Sequence, residues 1–112
     1  MKDDRLYLIH ISECIGRIQE YVGGGREAFM ASTLIQDAVV RNLQTLAESS
    51  RRLSDGIKAK HPQVDWRVIG GFRNVLVHDY LGIDFERVWG VVEKDLPELK
   101  VQIAALLQGL GQ

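Results

Sequence analysis

The chain has 112 residues, 26% of them charged and 46% hydrophobic, and a net charge of −1. That length supports one modest core, so a single domain over 1–112 is expected. Two prolines and the absence of any low-complexity run exclude extended disorder.

No apolar run approaches the roughly 20 residues of a membrane span. Met1-Lys2-Asp3-Asp4-Arg5 is not followed by an apolar secretory segment. The expectation is a cytoplasmic protein with no membrane partner.

The predicted elements are all helical. Leu8, Ile11, Ile15, Ile18 and Val22 step by three and four residues, with Glu13, Arg17 and Glu20 on other faces, as an amphipathic first helix requires. Cys14 falls within this pattern and has no partner at metal-ligand spacing, so it reads as core filler. Gly23-Gly24-Gly25 ends the helix. One long second helix is expected from about Arg26 to Leu53, with Ile35, Val39, Leu43 and Leu46 inward and Gln44, Glu48, Arg51 and Arg52 outward. Asp55-Gly56 and His61-Pro62 mark a loop.

Asp65 is placed to cap a third helix through Trp66, Ile69, Phe72 and Leu76. Gly82 and Asp84 make the next break. A fourth helix carries Phe85, Val88, Val92, Leu99, Ile103 and Leu106, with a kink or restart at Pro97. Four striped helices with short connections argue an all-α, antiparallel four-helix bundle. Gly70-Gly71 inside the third helix lets another backbone approach, either an intrachain neighbour or a second subunit.

Chemistry concentrates in Arg73-Asn74-Val75-Leu76-Val77-His78-Asp79-Tyr80. An arginine fork grips phosphate at two points, and an imidazole moves protons near neutral pH. Residues 1 to 40 hold four Lys/Arg against six Asp/Glu, whereas 41 to 73 hold seven against three. The excess positive charge thus leads into the motif, either as a phosphate-attracting patch or as a solvated helix face. At about 100° per residue Asn74 and His78 share a helix face, while Arg73 and His78 lie roughly 140° apart. Either the helix loosens near His78, or the site is completed by the same helix of a second subunit.

Arg-Asn-x-x-x-His-x-Tyr in an all-helical chain resembles the signature of HepT-type HEPN ribonuclease toxins. The likeness extends over most of the chain. It includes Arg41-Asn42-Leu43 to Glu48, Pro62 with Asp65-Trp66, and Val88-Trp89 to Leu96-Pro97-Glu98-Leu99. The resemblance implies a homodimeric HEPN-like bundle that acts as a metal-independent endoribonuclease toxin of a bacterial or archaeal type VII toxin–antitoxin system. Its substrate would be messenger or transfer RNA, and no cofactor is expected. It also implies neutralisation by an MntA-type nucleotidyltransferase antitoxin, with Tyr80 as AMP acceptor.

Cleavage through the ribose 2′-hydroxyl needs a proton acceptor, a donor for the leaving 5′-oxygen and cations around the phosphorane. His78 is assigned proton transfer; a place near a helix C-terminus favours its charged form. Arg73 is assigned phosphate and the developing charge, and Asn74 the orientation of His78 or of a phosphate oxygen. The base is open between His78 of the partner subunit and a water.

Trp66, Phe72 and Trp89 sit at core spacing, and His10 and His61 belong to no constellation. Arg41 and Glu48 fit a groove-lining role and a helix-surface role equally. No phosphate loop, zinc spacing or Gly-x-Ser-x-Gly elbow is present. The alternative function is a non-catalytic helical module that binds nucleotide or protein through Arg73, Asn74 and His78.

Overall fold

The computed structural model describes residues 2–76 and 82–110, and the side chains of 3–72 and 82–110. Helix α1 spans Lys2–Tyr21. Its stripe of Leu8, Ile11, Ile15 and Ile18 is fully buried. Cys14 sits in the same core, and burial pushes its thiol pKa up, as befits a packing residue. The glycine run makes the turn: Gly25, at φ 88°, takes the left-handed conformation that a side chain would resist.

The long helix expected from Arg26 to Leu53 is two helices, α2 (Gly25–Ala31) and α3 (Thr33–Arg51). Ser32 interrupts it in an extended conformation, and its Oγ accepts the Ile35 N–H at 3.1 Å. That is an N-cap, which satisfies a donor orphaned at a helix start. Gln36 reaches back across the break, its Nε2 donating to the Met30 carbonyl at 3.1 Å. On α3, Val39, Leu43 and Leu46 are buried and Gln44, Glu48 and Arg51 exposed, as the periodicity requires.

Part of the loop expected after Asp55 is a short helix, α4 (Asp55–Lys60). Its cap comes partly from elsewhere in the chain. Ser54 Oγ accepts the Ile57 N–H at 3.2 Å, while buried Asp4 accepts the Ser54 N–H at 2.8 Å and the Ser54 hydroxyl at 2.6 Å. Burial pushes the Asp4 pKa up, but the two bonds from Ser54 outweigh it and hold the group below 3.8. A carboxylate depressed in the folded state contributes stability above its unfolded pKa and loses it as pH falls through the folded value. Asp4→Ala is expected to cost about 1.5–3 kcal/mol by urea unfolding at neutral pH, because it strands a charge-assisted pair of donors. The difference from wild type should shrink as pH is lowered below about 4.

Helix α5 covers Trp66–Leu76. Asp65 caps it as expected, Oδ1 accepting the Val68 N–H at 3.2 Å. Trp66 Nε1 donates to the His61 carbonyl at 3.1 Å, which fixes the entry to the helix. Ile69 and Phe72 are buried, and Val68 is exposed. A Cβ added at Gly70 or Gly71 would meet nothing within 4 Å. Both glycines are half-buried, so the chain leaves room for a side chain there without using it.

Gly82 (φ 95°) and Asp84 make the next break, with Asp84 Oδ1 accepting the N–H groups of Glu86 and Arg87 at 3.0 and 3.3 Å. Helix α6 (Phe85–Gly90) passes through a π turn (Val91–Asp95) into α7 (Leu96–Leu110). The kink or restart expected at Pro97 is this change of register. Pro97 has no N–H, and its ring would crowd the carbonyl four residues back in a regular helix. The wider turn, with Leu96 N–H on the Val91 carbonyl, relieves that crowding.

Packing gives the expected all-α antiparallel bundle. α1 lies against α3 and α7, and α3 also against α5. At one end Asp4 meets Ser54; at the other the Phe29 ring packs 6.1 Å from Phe85 and 5.5 Å from Trp89, and Arg26 pairs with Glu86. No strand occurs among the described residues.

Candidate nucleic-acid interface

Helix α5 carries the start of the motif. Its buried Ile69 and Phe72 seat it on the core, and Arg73 and Asn74 occupy its last turn. The side chains of Arg73 and Asn74, and all of His78 and Tyr80, lie outside the described residues. The expected offset between Arg73 and His78 lies outside them too. What the fold defines is the mounting. Val68, Gly71 and Phe72 of α5 line a groove of about 350 Å³ with Arg87 and Gly90 of α6 and Val91, Lys94 and Asp95 of the π turn. Two glycines face this groove, and two cations lie along one wall.

Three arginines of the basic stretch between 41 and 73 divide along α3. Arg51 and Arg52 pair with Glu48 at 3.7 and 3.4 Å, which gives Glu48 a helix-surface role. Arg41 sits ten residues earlier on α3, about 15 Å along the axis. There it joins Arg17 and Tyr21 of α1, with Ala38, Asn42 and Thr45, around a groove of about 410 Å³. Sequence reading missed Arg17 and Tyr21. Nothing local relates them to Arg41; only the packing of α1 on α3 does.

A third cavity, of about 260 Å³, has the opposite character. Asp65, Asp95, Glu98, Gln63 and Gln102 line it over Ile69 and Phe72. Burial, with lesser contributions from Glu98 and Asp65, outweighs the Lys94 charge and raises the Asp95 pKa. Such a surface repels phosphate. Among the described residues no group of three His, Cys, Asp or Glu is placed to hold a metal ion.

The remaining aromatic and imidazole groups are structural in position. Trp66 and Trp89 pack against the core, and Phe72 is inside it. Trp89 Nε1 is buried with no acceptor among the described residues. His10 stacks edge-on to Tyr7, and His61 caps the end of α4. No described helix is long and apolar enough to cross a membrane.

Comparison with known proteins agrees with the architecture. A family profile described as "Ribonuclease HepT-like" matches residues 11–106. The chain is similar to a protein of Caldanaerobacter subterraneus subsp. tengcongensis named "Putative RNase", 35% identical over 96% of this chain and 97% of that one. It is similar to a Thermococcus cleftensis protein named "Probable ribonuclease HepT", 35% identical over 84% and 86% of the two chains. It also matches a Methanocaldococcus jannaschii protein named "Gamma-glutamylcyclotransferase and putative RNase" at 34% identity; 99% of this chain is covered but only 50% of that protein's length. No solved structure matches. With the profile spanning most of the bundle, from α1 to α7, the chain belongs to the HepT-like ribonuclease family.

Proposed function

We propose that this protein is a metal-independent endoribonuclease whose composite site forms between two copies of α5 and the residues that follow it. The observation that carries the reading is Arg73-Asn74-x3-His78-x-Tyr80, beginning on the last turn of α5 in a chain of a ribonuclease family. The site residues keep the roles their chemistry suggests. Arg73 holds the scissile phosphate and the developing charge, Asn74 orients, and His78 transfers protons. Cleavage leaves a 2′,3′-cyclic phosphate and a 5′-hydroxyl, and DNA is spared because it lacks the internal nucleophile. The room at Gly70 and Gly71, where an added Cβ would meet nothing within 4 Å among the described residues, supports the close approach of a second subunit. The cellular role is that of a toxin, held off by an MntA-type nucleotidyltransferase antitoxin that adds AMP to Tyr80.

The dimeric site has a direct test. Inactive Arg73→Ala and inactive His78→Ala chains, mixed so that subunits exchange, should regain measurable cleavage if each site draws one residue from each chain. Mixtures as inactive as their components would reject the shared site. A monomer by sedimentation at working concentration would reject the dimer as well. Activity abolished by chelator and restored by a divalent metal would overturn the mechanism.

A further inference from the structure

The groove between α1 and α3 lies on elements that carry none of the motif. The geometry points to a second role for it: Arg17, Tyr21, Arg41, Asn42 and Thr45 form a sequence-tolerant subsite for the sugar–phosphate backbone of single-stranded RNA. This rests on the ribonuclease reading and adds to it a place where substrate is held outside the catalytic motif.

Four observations converge. Arg17 and Arg41 are both exposed, and among the described residues no carboxylate comes within the 4.0 Å of an ion pair with either. Glu13, Glu20 and Asp37 flank them on the same helices without reaching that distance. By contrast Arg26, Arg51 and Arg52 are each engaged by a glutamate. The second observation is Tyr21, 37% exposed beside the two guanidiniums, a ring face on which a base can stack.

The third concerns acceptors. Asn42 Nδ2 donates to the Ala38 carbonyl at 2.9 Å and Thr45 Oγ1 to the Arg41 carbonyl at 3.1 Å. Both side chains are held in place with oxygen lone pairs left to accept. A bare anion has no use for acceptors, whereas a ribose 2′-hydroxyl donates to one. The fourth is contrast within the same fold: the cavity under Asp65, Asp95 and Glu98 is acidic, whereas two arginines and, among the described residues, no carboxylate line the α1–α3 groove. An acidic peptide would use the arginines and its N–H groups the acceptors, but it lacks the base that stacks on the Tyr21 ring.

The test measures binding of a fluorescein-labelled single-stranded RNA of roughly 12 nucleotides, within the reach of one single-strand platform. The chain carries His78→Ala so that the probe survives, and chelator is present. Adding Arg17→Ala and Arg41→Ala should weaken binding about tenfold near 0.1 M salt. The same change should make the log–log salt dependence shallower by about 1.4, the value for two phosphate contacts. Tyr21→Ala should weaken binding and Tyr21→Phe restore it. Arg51→Ala with Arg52→Ala removes the same charge from the far end of α3 and should change little.

Equal losses from the two arginine pairs would mean long-range charge alone, and would overturn the subsite. Unchanged affinity and slope would overturn it too. So would unchanged RNA binding with weakened binding of the purified nucleotidyltransferase, which would give the groove to a protein. The two readings fail separately. A wild-type chain that cuts no RNA rejects the ribonuclease, whereas a chain that cuts RNA but binds the probe independently of Arg17 and Arg41 rejects only the groove.

Discussion

Replacing His78 by alanine is expected to lower RNA cleavage by about 10²- to 10⁴-fold, the range that a positioned proton-transfer group contributes. The fold should survive, because α5 is seated by Ile69 and Phe72, buried among its described residues, and is capped by Asp65. Arg73→Ala should cost on the order of 10²–10³, as loss of one preorganised charge-stabilising group does. Arg73→Lys should recover little of it, since an ammonium cannot reproduce the planar two-point grip on phosphate. The measurement is the initial rate on a labelled RNA in excess chelator, with circular dichroism on each variant. A His78→Ala chain that cleaves at the wild-type rate would show that proton transfer belongs to another group. Product ends other than a 2′,3′-cyclic phosphate and a 5′-hydroxyl would rule out attack by the ribose.

The second large effect concerns control through Tyr80. A phenol with a pKa near 10 is neutral at cellular pH and scarcely alters phosphate binding. Joined to AMP it would set a negatively charged nucleotide two residues beyond His78, in competition with the substrate phosphate for Arg73. Cleavage should therefore fall in step with modification, to background when every Tyr80 is occupied. The assay incubates the chain with the proposed nucleotidyltransferase partner and ATP, then follows both the mass of the Tyr80 peptide and the cleavage rate. Tyr80→Phe should resist modification and stay active in the presence of the partner. An active Phe chain silenced as fully as wild type, with silencing still dependent on ATP hydrolysis, would move the acceptor elsewhere.

The helical stripes were legible because their information is local. Leu8, Ile11, Ile15 and Ile18 on α1 and Val39, Leu43 and Leu46 on α3 repeat at the helical period, and all are buried. Asp65 was readable as a cap because its partner lies three residues away. The motif from Arg73 to Tyr80 was readable for a similar reason: its chemistry is confined to eight consecutive residues, whatever surrounds them.

The break at Ser32 was local as well, its cap partner Ile35 lying three residues on, but an apolar period that continues across a break reads as one helix. Tertiary structure decided the rest, through partners far apart in the chain. Helix α4 depends on Asp4, fifty residues before Ser54, and no local pattern announces such a contact. Pro97 announced a disturbance, but whether the chain would kink, stop or widen its turn depended on keeping Val92, Leu96 and Leu99 on the core side. Arg17 and Arg41 were, in sequence, two unrelated surface cations. The packing of α1 on α3 made them one groove, because charge acts through space and the sequence lists it only along the chain.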